Sequence, residues 1–184
     1  MLPKWTIKDV FQSFLNGVLF RWLHGLSMHS SKMTRLICWA AKLSAVGIGL
    51  TTYLIYQHYK PLADSFCNIS DYVSCDVVNK SIYAEIFGIP VAALGFATYV
   101  VLFLVSLGLL KGWNFTRVVR GLTHTRTVQV VAIFSGAGLL FSFYLTSIEF
   151  FVLNAVCIFC LAQQLLILSI SLIYLFLWRA HAHS

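Results

Sequence analysis

The sequence predicts an all-α integral membrane protein: a four-helix bundle whose outer loop carries a short amphipathic helix, with an interfacial helix ahead of the bundle. Composition is the first observation behind that fold class. Of 184 residues, 59 % are hydrophobic and 10 % charged, whereas soluble domains have roughly 45–50 % and 25 %. The second is the presence of four apolar runs near the ~20 residues that a helix needs to cross a bilayer core. The third is the placement of basic residues, which alternates with those runs.

The first span is expected over about Leu36–Tyr59, with Lys42 near one end, where its stem can snorkel to the interface. The others are expected over about Val91–Leu110, Val128–Phe150 and Cys157–Trp178. Gly47, Gly49, Gly95, Gly136 and Gly138 are candidates for close helix approach, because membrane helices pack through small residues. The chain thus divides into 1–35 before the bundle, 36–178 as the membrane domain with its outer loop at 60–90, and a tail at 179–184. No length remains for a second folded domain.

Lys4, Lys8, Arg21, Lys32 and Arg35 precede the first span. Lys111, Arg117, Arg120 and Arg126 separate the second from the third, and Arg179 follows the fourth. Basic residues gather in cytoplasmic segments, so both chain ends are expected in the cytoplasm. The net charge of +7 is read as this asymmetry and carries no implication of nucleic acid. Trp5, Phe11, Phe14, Trp22 and neighbouring apolar residues recur at helical spacing within 1–35, which suits an amphipathic helix at the inner headgroups. A signal peptide is the weaker alternative, since no compact apolar core with a small-residue cleavage site follows the first basic residues.

The outer loop contains "SDYVSCDVVNKSIYAEIFGIP". Asp71 to Asp76 supplies capping residues, Val77, Val78, Ile82 and Ile86 recur at spacings near three and four, and Gly88 and Pro90 stop the pattern. A short helix across the outer face is the expectation.

Cysteines carry the chemistry. Cys38, near the cytoplasmic end of the first span, reads as a small buried residue. Cys67 and Cys75 in the outer loop, and Cys157 and Cys160 at the start of the fourth span, converge on one side. Two structural disulfides would explain four such cysteines. A zinc site would also use four, but the seven residues between Cys67 and Cys75 exceed the usual two to four between paired ligands. Redox exchange is the third reading, and position favours it. A C-x-x-C that opens a helix sets its first sulfur beside unpaired backbone N–H groups and the positive end of the helix dipole, a setting that suits a reactive thiolate. Cys160 then lies one turn deeper on the same face, where a lipid-soluble electron acceptor can meet it. Gln163 and Gln164 follow by three and four residues, and are candidates to hold that acceptor or to bond a neighbouring helix.

Several of these features together resemble the vitamin K epoxide reductase family, particularly its microbial members, over about Lys42 to Trp178. They are the C-x7-C of Cys67 and Cys75, Ser81 six residues on, "FGIP" at Phe87–Pro90, and "YLTSIEFFVLNAVCIFC" ending at Cys160. The resemblance implies a four-helix bundle around a quinone, ubiquinone or menaquinone, with no metal. It also implies a separate periplasmic or lumenal thioredoxin-like (DsbA-like) partner that attacks a Cys67–Cys75 disulfide at Cys67. Cys75 would then attack Cys157 of a Cys157–Cys160 disulfide, and Cys160 would reduce the quinone. Ser81 matches a serine or threonine that hydrogen-bonds the substrate; a plain surface serine is its alternative.

Where the animal enzymes have a tyrosine four residues after the second membrane cysteine, this chain has Gln164. Many microbial relatives carry a fused thioredoxin-like domain after the bundle, whereas this chain stops at "RAHAHS", so the partner is expected to be a separate protein. The expected setting is a bacterial inner membrane, and the expected outcome is disulfide formation. Reduction of vitamin K epoxide or quinone as the end purpose is one alternative; a transporter or assembly protein with structural disulfides is another. The DsbB type of quinone-linked oxidase also uses four outer cysteines, but places its C-x-x-C in the first outer loop and the wider pair in the second, the reverse of the order here.

Overall fold

The computed structural model describes residues 32–60, 67–68, 72–113 and 123–182. The interfacial segment expected over 1–35 lies, as far as residue 31, outside the described residues, as does His183 of the tail. Four long apolar helices form the bundle: α1 (Lys32–His58), α3 (Val91–Leu110), α4 (His124–Ile148) and α5 (Ile158–Ala182). All four are long and apolar enough to cross a bilayer. The second span begins and ends where the sequence expects it; α1 and α4 begin about four residues earlier, at Lys32 and His124, and α5 ends about four later, at Ala182, while their other ends lie within two residues of the expectation.

Between α1 and α3 the expected single amphipathic helix breaks into smaller pieces. Ser74 caps a short helix, α2 (Cys75–Asn79), its Oγ accepting the Val77 N–H at 3.4 Å. A 3-10 turn follows at Ile82–Ala84, then a hairpin of β1 (Glu85–Ile86) and β2 (Ile89–Pro90). The hairpin turn places Phe87 and Gly88 in the left-handed region, at φ 53° and 78°. The periodic pattern therefore fails as one helix: Val78 faces inward, whereas Val77 and Ile82 are exposed.

Packing in the bundle is uneven. α1 lies chiefly against α3, α4 against α5, and α1 crosses α5, whereas α3 and α4 scarcely meet. The α1–α3 contact depends on Gly47, where a Cβ would stand 2.4 Å from Tyr99 Cδ1. At Gly95 a Cβ would stand 3.2 Å from Thr51 Cγ2. By contrast, a Cβ at Gly136 meets open space and one at Gly138 only ordinary contact, so these two are not close-approach positions.

Two apolar clusters fill the interior. The larger, around Tyr99, Leu102, Val128, Ile170, Tyr174 and Leu177, occupies the half of the bundle that holds the start of α1 and the end of α5. Ser106 is fully buried and its Oγ pairs with the Tyr174 hydroxyl at 2.7 Å, whereas the buried Ser171 Oγ has no partner among the described residues. The smaller gathers Leu54, Cys67, Cys75, Val78, Ala155 and Cys157 at the opposite, cysteine-bearing end. Outward positions such as Leu104, Ile133, Leu140, Leu165 and Phe176 are exposed and apolar, a surface suited to lipid.

Candidate active site

The junction between α4 and α5 builds the site. After Ile148 the helix widens into one π-type turn, Glu149–Leu153, and Asn154 closes it in the left-handed region at φ 48° and ψ 32°. Asparagine tolerates that conformation better than most residues. The Glu149 carbonyl accepts the Ala155 N–H at 3.2 Å. The chain then extends, and Val156 forms a parallel bridge with Val73, its N–H donating to the Tyr72 carbonyl at 2.8 Å. That bridge sets the residue two after Val73 beside the residue one after Val156. Those residues are Cys75 and Cys157.

Cys157 Sγ stands 3.3 Å from Cys75 Sγ, and Cys75 is joined to Cys67 by a disulfide. A bonded pair offers no thiolates, so the zinc reading finds no support at Cys67 and Cys75. Cys157 immediately precedes α5 and behaves as its cap: its sulfur accepts the Cys160 N–H at 3.3 Å, and its carbonyl accepts the Leu161 N–H at 3.1 Å. Cys157 and Cys160 are both free thiols. Cys157 is fully enclosed and Cys75 and Cys67 are buried, whereas Cys160 opens onto a cavity. Cys38, expected to be buried, is only partly so and lies on α1, remote in sequence from this cluster.

The loop is held down by polar contacts. Asn68 Nδ2 donates to Asp76 Oδ2 at 2.8 Å, and Asn68 Oδ1 accepts from Ser74 Oγ at 2.9 Å. Asn79 is buried and donates to the Leu54 carbonyl of α1 at 2.8 Å. His58, at the end of α1, meets the Asn79 carbonyl at 2.7 Å through Nδ1 and Glu85 Oε1 at 3.1 Å through Nε2.

Under this lid lies a mostly apolar cavity of ≈ 190 Å³, bordered by all four long helices and by the loop. A cavity of about 150 Å³ accommodates a benzene ring, so a quinone ring fits. Leu94 of α3 and Phe141 of α4 line it and are themselves exposed, which places its mouth on the side where those two helices part.

Of the three sequence candidates besides the cysteines, Ser81 and Gln163 border this cavity and Gln164 does not. Ser81 borders the cavity while its hydroxyl donates to the Val78 carbonyl at 2.8 Å. Gln163 borders it with both amide atoms buried and without a partner among the described residues. An unpaired buried amide costs about 1–3 kcal/mol, which a ligand carbonyl bonded to its N–H would relieve in part. Gln164 is not among the cavity-lining residues; its Oε1 accepts from Thr146 Oγ1 of α4, the neighbouring-helix partner that its spacing also allowed.

Glu149 is not among the site residues that the sequence suggests. In the structure Glu149 is buried, borders the cavity, and takes the Cys157 N–H on Oε2 at 3.1 Å. The available signal was that it is the sole acidic residue in the four spans.

Comparison with curated proteins finds no match. The model of the vitamin K epoxide reductase family matches residues 38–175, about three quarters of the chain, and so takes in all four clustered cysteines, Glu149 and the cavity. With four membrane-crossing helices, a loop disulfide touching a membrane thiol and a ring-sized cavity, the chain belongs to the vitamin K epoxide reductase family, whose members are quinone-linked disulfide oxidoreductases.

Proposed function

We propose that this enzyme reoxidises a thioredoxin-like (DsbA-like) partner and passes the electrons through Cys67 and Cys75, then Cys157 and Cys160, to ubiquinone or menaquinone. The observation that carries the reading is the 3.3 Å approach of Cys75 to Cys157. A thiolate released at Cys75 needs no large movement to attack a disulfide at Cys157. The roles follow from contact: Cys75 is the loop cysteine that touches Cys157, its disulfide partner Cys67 is left for the incoming protein, and Cys160 is the one that lines the cavity. Cys67 receives the partner, Cys75 relays, Cys157 receives, and the freed Cys160 thiolate faces the cavity. Cys67 is buried as the loop stands, so partner access requires the loop to open locally.

When bound, a quinone supplies a two-electron sink. Gln163 would donate to one of its carbonyls, with Ser81 close to the lid and Gln164 steadying α4 against α5. The distribution of Lys and Arg supports both termini cytoplasmic and the cysteine end outside, and the likeness of "FGIP" to microbial relatives supports a bacterial inner membrane. The glycosylation-type sequences at Asn68 and Asn79 support the bacterial choice further, since both side chains are committed to hydrogen bonds within the lid.

The test uses purified protein, a reduced thioredoxin-like donor, and ubiquinone or menaquinone followed by absorbance. Wild type reduces the quinone and Cys160→Ser does not. No reduction by wild type, or normal reduction by the variant, would sink the proposal.

A further inference from the structure

The Cys157–Cys160 couple raises a proton problem that the four cysteines do not solve. When two thiols become a disulfide, two S–H bonds break, one S–S bond forms, and two electrons and two protons leave. On the reading above, which this inference rests on, both electrons go to the quinone, and both protons must reach its oxygens to give hydroquinone. Cys157 is 0 % exposed and Glu149 3 %. Bulk solvent therefore does not reach the Cys157 sulfur, and a titratable group beside it offers its proton a route out.

Glu149 stands in the required place. It is the sole acidic residue of the four spans, and a buried carboxyl at that depth calls for a functional explanation. Oε2 takes the Cys157 N–H at 3.1 Å, and the carboxyl also interacts with the Cys160 side chain. The same residue borders the cavity with Cys160 and Gln163. The π-type turn that begins at Glu149 lets it reach sulfur and cavity at once.

We infer that Glu149 is a catalytic acid–base residue that carries protons from the membrane thiols into the cavity. The carboxylate takes the proton of Cys160 Sγ and gives it up on the cavity side. Emptied, it takes the proton that Cys157 sheds as the Cys157–Cys160 bond closes, and gives this one up on the cavity side as well. Two protons and two electrons leave the thiols, two of each arrive at the acceptor, and Glu149 ends as the carboxylate it began as.

A purely structural role, holding the Cys157 N–H, is the competing account, and Glu149→Gln separates the two because the amide oxygen still accepts that bond. Three rates are measured: exchange from reduced donor to a Cys157–Cys160 disulfide without quinone, alkylation of Cys160 by a neutral maleimide in reduced quinone-free protein, and hydroquinone formation. In Glu149→Gln the first two stay at least as fast as in wild type, the second because no negative charge remains beside the thiolate. Hydroquinone formation falls ~100-fold or more, the usual share of acid–base catalysis, and Glu149→Asp retains part of it. Hydroquinone formation within threefold of wild type overturns the inference, as does a parallel fall of all three rates. Wild type that exchanges thiols but yields no hydroquinone instead overturns the parent reading, and this one with it.

Discussion

Cys75 and Cys157 are 82 residues apart in sequence, and their sulfurs are 3.3 Å apart in space. The approach is fixed by backbone, through the Val73–Val156 bridge, and does not depend on a flexible side chain finding its target. Cys67→Ser or Cys160→Ser, each removing the thiol that would resolve the intermediate, is expected to accumulate a Cys75–Cys157 crosslink. Peptide mapping after rapid alkylation reads it. If such variants yield only Cys67–Cys75 and Cys157–Cys160 bonds, the relay order is wrong.

The two adjacent glutamines are expected to separate. Gln163→Leu removes an amide without a partner among the described residues, so the fold tolerates it while the KM for quinone rises by about three- to tenfold, the worth of one hydrogen bond. Gln164→Leu breaks the bond to Thr146 and lowers stability by about 1 kcal/mol with little change in KM. Thermal unfolding in detergent, paired with quinone titration, distinguishes them. A KM effect at Gln164 alone would reassign the quinone contact.

Gly47→Ala drives a methyl group into the Tyr99 ring. The ring borders the cavity and its hydroxyl donates to the Gln163 carbonyl at 3.0 Å, so it has little room to yield. The expected loss is about 1–3 kcal/mol of stability, together with weaker quinone binding. Gly136→Ala, facing open space, serves as the control and should be near neutral.

Asn79→Ala removes the bond from the lid to Leu54 of α1. A cost of about 1–2 kcal/mol is expected, appearing first as opening of the lid. Limited proteolysis of the loop should quicken while the four long helices stay protected. Unchanged proteolysis would show that the His58 contacts suffice to hold the lid.

The spans were legible because lipid imposes a composition that any window of the chain displays. The second span was read to its terminal residues, since Pro90 and Lys111 punctuate it. The lid was not legible as built: Val77, Val78, Ile82 and Ile86 share a helical period, but Ser74 caps a helix that ends at Asn79, and the chain then turns to form the hairpin. The convergence of Cys67, Cys75, Cys157 and Cys160 on one end was legible from their places beside the spans, whereas the Cys67–Cys75 bond came only from the family resemblance, because the residues alone fit structural, zinc and redox readings equally in number. What separates Gln163 from Gln164 is the register of α5 against α4, and nothing within α5 encodes it. Glu149 was visible as a lone acid, but its value depends on a π-type turn that no local pattern announced.

The enclosure of Cys157 has a further consequence. A small dissolved thiol such as glutathione must approach in line with the bond it attacks, and at a residue with no exposed surface it finds no line of approach. Cys75 is already inside, at contact distance. Attack at Cys157 is thereby closed to the surrounding thiol pool and open to its internal neighbour, so leakage at that sulfur is suppressed by the shape of the fold.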